Sequence, residues 1–284
     1  MKIGIGLPNQ VREVDPAILP GWAAQAEKAG FSSLATVGRV AYPSVMDTIA
    51  LAVAAATTST IGLISGVAVG PAYPAVLLAK ELANIDAVSG GRLTFGVGLG
   101  GRPDDYVVEG RPRKGMAKRL EDDIRVYREV WGGAAVGGGE YPAVAANTRE
   151  VPVLLGGMVE ASYERVARLA DGYIGASVPA AMVGPSFDAV RASWKDAGRA
   201  GSPRLVALAY YAFDDIDAGR ANIADYYSGA GEYVVDLIAG NASHGAEGVK
   251  ATIAAFEEIG ADELIFNPAV SDPAEIDRLA EVVF

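Results

Sequence analysis

The residues best placed to do chemistry in this chain are glycines and two arginines rather than acids, bases or thiols. The stretch Leu93-Thr94-Phe95-Gly96-Val97-Gly98-Leu99-Gly100-Gly101-Arg102-Pro103-Asp104-Asp105 starts as an apolar β-type run and ends in glycine and charge. Without side chains at Gly98 and Gly100, a flat ligand can lie against bare backbone. The spacing is not the dinucleotide fingerprint, because no helix opens at the last glycine and Pro103 follows. A second run, Leu155-Gly156-Gly157-Met158-Val159-Glu160-Ala161-Ser162, presents unencumbered N–H groups at a predicted helix start. That arrangement suits a phosphate and equally suits an ordinary strand-to-helix turn. Asp104, Asp105 and Glu109 have the composition of a Mg²⁺ group, but loop carboxylates more often face solvent or cap the next helix. No metal site is expected.

Composition removes many alternatives. There is no cysteine, which excludes disulfides and thiolate nucleophiles, and the only histidine is His244. Multi-histidine zinc and paired-histidine iron sites cannot be built. His244 sits in the polar run Asn241-Ala242-Ser243-His244-Gly245 and reads as a surface residue remote from the strand ends. A net charge of −11 without a basic tract disfavours nucleic acid and anionic membrane surfaces. Met1 to Leu7 already reads as a strand rather than a leader, and no apolar run is long enough to cross a bilayer. The expectation is a cytoplasmic protein that acts on a small-molecule substrate.

Eight β-type segments, each followed by helical pattern, must position these residues. They begin at Lys2, Ser33, Ile61, Leu93, Val151, Gly172, Leu205 and Asp262. The third runs to Val69 and is interrupted by Gly66. Helices are expected at Asp15–Lys28, Ser44–Thr57, Pro74–Val88, Lys114–Trp131, Glu160–Ala170, Pro185–Ala197, Ala218–Ala239, Ala246–Ile259 and Pro273–Val283. Residues 132–150, opening on Gly132-Gly133 and containing Gly137-Gly138-Gly139, are expected as a flexible surface connection. Strands that lack strict alternation and are separated by helices predict a parallel sheet closed into a (β/α)8 TIM barrel, one domain spanning 1–284. The site of such a barrel lies at the carboxyl ends of its strands. Those ends offer Asn9; Arg39 and Tyr42; Ser65, Gly66 and Val67; Gly98 to Asp105; Gly156, Gly157, Met158 and Val159; Ser177; Tyr211; and Asn267. No lysine stands there for a Schiff base, and no carboxylate–histidine cluster for metal-assisted hydrolysis. A neutral, glycine-lined pocket with arginines and tyrosines suits a protein that borrows its chemistry from a bound organic cofactor.

Three blocks, in order, resemble the bacterial luciferase-like superfamily of flavin- and deazaflavin-dependent oxidoreductases. They are Ile61–Val67 with Pro74–Lys80, Leu82–Arg92 with Leu93–Arg102, and Val151–Ser162 with Arg165–Gly172. The resemblance implies a ring, from FMN or coenzyme F-420, lying across the barrel mouth. It implies a bulge with a non-prolyl cis peptide at Gly66-Val67. The cofactor tail would contact Gly98 to Arg102 and Gly156 to Val159, with Ser65, Gly66 and Val67 under the ring and Asn9 near it. It also implies a homodimer.

The sequence departs from that pattern at two positions. Arg39 stands where the family's alcohol and sugar dehydrogenases and luciferase carry a histidine, and Gly101 where the dehydrogenases carry a glutamate. An arginine stays protonated and cannot serve as a base. Arg39 and Tyr42 are therefore expected on the substrate side, Arg39 binding an anionic group and a tyrosine donating a proton. The reading that follows is F-420-dependent hydride transfer to or from an activated C=C or C=N bond. The alternatives are an FMN-dependent monooxygenase served by a partner reductase, and a flavin-binding protein without catalysis.

Overall fold

In the computed structural model, which describes residues 1–284, strand and helix alternate from the first residues onward. In chain order the elements are β1 (Lys2–Gly6), α1 (Leu19–Ala29), β2 (Ser33–Thr36), α2 (Asp47–Thr57), β3 (Gly62–Ser65), β4 (Ala68–Val69), α3 (Ala75–Ser89) and β5 (Leu93–Gly98). They continue with α4 (Asp104–Val107), α5 (Met116–Trp131), β6 (Val153–Leu155), α6 (Glu160–Leu169), β7 (Gly172–Ile174), α7 (Ala180–Asp196) and β8 (Arg204–Ala212). The last are α8 (Ile216–Tyr226), α9 (Glu232–Gly240), β9 (Ser243–His244), α10 (Gly245–Glu258), β10 (Glu263–Pro268) and α11 (Ala274–Val283).

Every strand pairing is parallel, and β10 joins β8 back to β1, so the sheet closes on itself. This is the (β/α)8 barrel expected from the sequence. The strands are buried along nearly their whole length because both faces are covered, which is why they read as continuous apolar runs. Helices α1 and α3 stop where Gly30 (φ 97°) and Gly90 (φ 73°) take the left-handed conformation. Leu120, Ile124, Tyr127 and Trp131 form the buried stripe of α5.

The third stave is split. β3 and β4 both pair with β5, at Leu63↔Leu93 and Ala68↔Val97, and between them the Gly66–Val67 peptide is cis. Inside the barrel Ala35, Ile64, Leu154, Ile174, Val206, Leu208 and Ile265 form an apolar plug. Near the amino ends of the strands, Glu263 accepts from Ser32 Oγ and Ser33 Oγ at 2.6 Å each and from Arg204 Nη2 at 2.7 Å. Burial works against this carboxylate, but the three donors prevail and hold its pKa below the ordinary glutamate value. That end is stoppered by charge and hydrogen bonds; the carboxyl end is left to open.

The structure departs from the sequence expectation in several elements. α7 begins at Ala180, with Pro179 supplying the extended residue before it, and absorbs Pro185 in its second turn. The helical stretch 218–239 breaks between Tyr226 and Glu232, where Gly229 (φ 82°) and Gly231 (φ 98°) turn the chain. A short α4, unforeseen, carries Asp104 and Asp105. His244 is exposed as expected, but it is not remote from the strand ends: it pairs with Ala212 at the end of β8. Residues 132–150 form neither helix nor strand, yet Arg149 clasps Asp86 through Nε (2.9 Å) and Nη2 (2.7 Å).

Candidate functional site

Above the plug the barrel mouth opens into a cavity of about 420 Å³. Val67, Ile174 and Leu208 of its lining also bound the plug. The end of β5 contributes Gly98 to Arg102, and the turn before α6 contributes Gly156 to Val159. Tyr226, Tyr227 and Ile238 line it from α8, α9 and the turn between them. Val67 is flanked by glycine: its Cγ2 lies 3.4 Å from where a Cβ would stand on Gly98, its Cγ1 3.9 Å from that of Gly156. The bulge thus presents one branched side chain between two stretches of bare backbone.

The supports lie one layer back. Ser65 Oγ donates to Gly96 O (2.6 Å) and accepts from Ala68 N (3.2 Å), tying the bulge to β5. Asn9 is fully buried; its Nδ2 donates to Val37 O (2.8 Å) and Val45 O (3.0 Å), and its Oδ1 accepts from Val37 N (3.1 Å). Neither residue lines the cavity. Both hold the loop after β2 and the bulge in place, for which their buried polar atoms are fully engaged.

Arg39 and Tyr42, expected on the substrate side, also stand behind the wall. Arg39 is buried, and its Nε meets Asp105 Oδ1 at 3.0 Å. Its Nη1 donates to Tyr226 O (2.9 Å) and its Nη2 to Ala41 O (3.0 Å). With these donors committed, it has no fork to offer an anionic substrate. Tyr42 OH donates to Asp225 Oδ2 at 2.5 Å, and burial, then that bond, raises the phenol pKa further from use as a proton donor near neutrality. Asp105 is buried rather than solvated: besides Arg39, its Oδ1 accepts from Val40 N and Ala41 N at 2.9 Å each. Arg39 and Asp105 together pin the loop after β2 to α4 and to the last residue of α8.

One charge remains free. Arg102 has no acidic partner; its guanidinium lies 4.9 Å from the Tyr226 ring centroid and 5.0 Å from that of Tyr227, and its Nε is buried without a partner. A cation sandwiched on aromatic faces is held in place while its charge stays available. Of the predicted residues, the cavity brings together Gly66, Val67, Gly98, Gly100, Arg102, Gly156, Gly157, Met158 and Val159.

The luciferase-like monooxygenase family profile matches residues 1–282. The chain belongs to that family. Over 170 residues it is 31% identical to an uncharacterized protein of Mycobacterium tuberculosis, a match covering 56% of this chain and 60% of the relative. Three solved structures share the fold. A coenzyme F-420-dependent secondary alcohol dehydrogenase with an F-420–acetone adduct superposes at TM-score 0.80 with 19% identity, covering 100% of this chain and 98% of that one. The coenzyme F-420-dependent tetrahydromethanopterin reductase of Methanopyrus kandleri gives 0.76 with 16% identity, covering 100% and 99%. The FMN-bound oxygenating constituent of the 3,6-diketocamphane monooxygenase of Pseudomonas putida gives 0.73 with 14% identity, covering 99% and 96%. At these identities the likeness concerns the fold.

In this luciferase-like chain the cavity also recruits residues that the sequence reading passed over. Tyr226 and Tyr227 were hidden inside what read as one continuous helix, and their only signal is the Ser228-Gly229-Ala230-Gly231 run behind them. Tyr226 OH donates to Gly38 O (3.1 Å), and burial raises its pKa well above the ordinary tyrosine value, so it acts as a neutral donor and a stacking face. Ser177, expected at its strand end, and Ser162 of the second glycine run add hydroxyls to the lining. No helix is long and apolar enough to cross a membrane.

Proposed function

We propose that this chain is an oxidoreductase that uses coenzyme F-420 to move a hydride to or from a small substrate with an activated C=C or C=N bond. The observation that carries the reading is a glycine-walled cavity whose one unpaired charge is Arg102. A planar tricyclic ring fits a floor of Val67 flanked by Gly98 and Gly156, and the orphaned Nε of Arg102 suits an anionic group attached to it. Bound there, the cofactor would supply the hydride chemistry, and the chain would orient it. Val67 would support the ring, and the bare backbone of Gly98 and Gly156 would leave it room. Tyr226 and Tyr227 close the side opposite β5 and keep Arg102 pointed inward. The one lining carboxylate, Asp105, is tied through Oδ1 to Arg39 and to the amides of Val40 and Ala41, a structural role that argues for activated double bonds over alcohol oxidation. The mouth carries no inserted segment beyond α4 and the α8–α9 turn; that favours hydride exchange over oxygen chemistry, which needs water excluded.

The same reading takes the chain as a homodimer, with an F-420-reducing enzyme as its electron source. The test is a side-by-side fluorescence titration with F-420 and FMN, each oxidised and reduced. Tighter binding of F-420 supports hydride transfer. Preference for reduced FMN, with oxygen consumption when a flavin reductase is added, would replace it with a two-component monooxygenase. Tight binding without turnover by any donor or acceptor would leave a carrier rather than an enzyme.

A further inference from the structure

Reducing an activated double bond takes a hydride at one atom and a proton at its neighbour, and a hydride cofactor accounts only for the first. The proton has to come from a side chain that faces the cavity and can give one up. Asp105 is engaged as an acceptor through Oδ1. Ser162 and Ser177 are aliphatic alcohols, far weaker acids than a phenol, and Arg102 keeps its protons throughout. The phenols that remain in the lining are Tyr226 and Tyr227. Tyr226 is fully buried and its hydroxyl donates to Gly38 O at 3.1 Å, so its proton is committed to the wall. Tyr42, the tyrosine the sequence placed on this side, donates to Asp225 and does not line the cavity.

Tyr227 follows the last residue of α8 and is half-buried on the cavity wall, its amide fixed to Ile223 O at 2.9 Å. Its hydroxyl has no backbone or carboxylate acceptor; it meets Tyr210 Oη at 3.4 Å, and either oxygen can donate. Burial holds the Tyr210 pKa well above the ordinary tyrosine value, so Tyr210 stays a neutral phenol and can donate to a charged neighbour. The Arg102 guanidinium lies 5.0 Å from the centroid of the Tyr227 ring. A phenolate spreads its charge into the ring, so this cation and the Tyr210 hydroxyl both stabilise the charge that a departing proton leaves behind. The rings of Tyr226 and Tyr210 meet that of Tyr227 edge on, at 5.1 and 6.1 Å between centroids, and hold it in place.

We propose that Tyr227 is the proton donor of the cavity, with Tyr210 and Arg102 as positioning residues that stabilise its phenolate. The inference rests on the hydride-transfer reading and supplies the other half of that step. The electron-poor atom of the double bond receives the hydride, its π pair moves to the neighbouring atom, and that atom takes the proton as the Tyr227 O–H bond breaks. The hydride comes from reduced coenzyme F-420, which is oxidised in the step with loss of a further proton to solvent. The phenolate recovers a proton through the open mouth.

The test begins by labelling the chain with benzenesulfonyl fluoride, which reacts with phenolates, and reading each site by peptide mass spectrometry. Tyr141 and Tyr233, 79% and 73% exposed, are the internal references. Tyr227 should react about tenfold faster than either and lose that advantage in Arg102→Gln and in Tyr210→Phe. Reaction no faster than the references, or an advantage kept in both variants, overturns the inference. Tyr227→Phe keeps the ring that faces Arg102, so by fluorescence titration it should bind F-420 within about twofold of the wild type. A larger loss makes Tyr227 a cofactor contact and overturns its assignment as the acid. With reduced F-420 and 2-cyclohexenone, the same variant should lose about a hundredfold in kcat with KM little changed. An unchanged kcat overturns the proton role and leaves the hydride-transfer reading intact. If the wild type does not reduce 2-cyclohexenone, the labelling ratio decides. Fast labelling of Tyr227 in a chain that binds no F-420 supports the acid and overturns the hydride-transfer reading.

Discussion

Asp47 is a buried carboxylate standing directly behind the site. It is 1% exposed, its Oδ1 accepts from Tyr73 OH at 3.2 Å, and its Oδ2 has no partner. That oxygen lies 2.8 Å from where a Cβ on Gly38 would stand, so the carboxyl backs directly onto a residue of the cavity wall. Burial raises its pKa from 3.8 to about 6, against the bonds from Thr48 N and Tyr73. Between those two values the folded state binds more protons than the unfolded one, so stability falls as pH rises through the window. Above pH 6 the charged form costs about 3 kcal/mol. Asp47→Asn, which keeps an acceptor for Tyr73, should melt several degrees higher than the wild type at pH 8 and alongside it at pH 4. Parallel melting profiles across that range would show that the carboxyl is solvated. The sequence does not reveal this burial: an aspartate opening a helix reads as a solvent-facing cap, and what covers it comes from Tyr73 and Gly38 on other turns of the chain. Arg39 departs from its expected place for the same reason. Its type and place matched a substrate ligand, but its partner Asp105 lies on α4, a helix that the sequence pattern did not announce.

At the scale of elements, the split third stave and β5 act as one unit. Gly96 faces the carbonyl of Ser65 so closely that a Cβ would overlap it, and no flexible side chain can yield there because the atom is backbone. Two residues on, a Cβ at Gly98 meets only Val67 Cγ2, at 3.4 Å. The two glycines therefore have different reasons to exist. Gly96→Ala should destabilise the protein by roughly 3 kcal/mol, read as a shifted denaturant midpoint, because the bulge must move. Gly98→Ala should melt with the wild type but lose most of its cofactor affinity, since its methyl enters the ring space. Equal stability of the two variants would refute this division of labour. The bulge at Gly66–Val67 was expected from the family resemblance, whereas both glycine runs and all eight staves were legible in the sequence, because strands buried on both faces differ sharply from amphipathic helices. The break after Tyr226 was not: Tyr226-Tyr227-Ser228 continues a helical pattern, and only the positive φ of Gly229 and Gly231 ends it. The whole aromatic lining, Tyr226 and Tyr227, was concealed with it.

For the whole molecule, the remaining question is what covers an exposed apolar face. Met46 and Ile49, at 40% and 56% exposure, open α2, and Val76 and Leu77, at 39% and 54%, open α3. The Tyr73–Asp47 hydrogen bond joins the starts of these two helices, so the four side chains form a neighbouring group rather than scattered exceptions. Contiguous apolar surface of this kind favours association, and a twofold pairing of the same face buries it on both copies at once. Asp47, which backs onto Gly38 of the cavity wall, lies between Met46 and Ile49 in sequence, so a partner packed on this face would stiffen the wall from behind. The wild type should therefore elute as a dimer by light scattering at micromolar concentration. Ile49→Glu/Leu77→Glu should elute as a monomer with an unchanged far-ultraviolet spectrum, because both side chains already face solvent within one copy. That monomer should bind cofactor more weakly, although neither substitution touches the cavity. A wild type that is monomeric throughout, or a double variant that remains dimeric, would move the interface elsewhere and detach the helix face from the site.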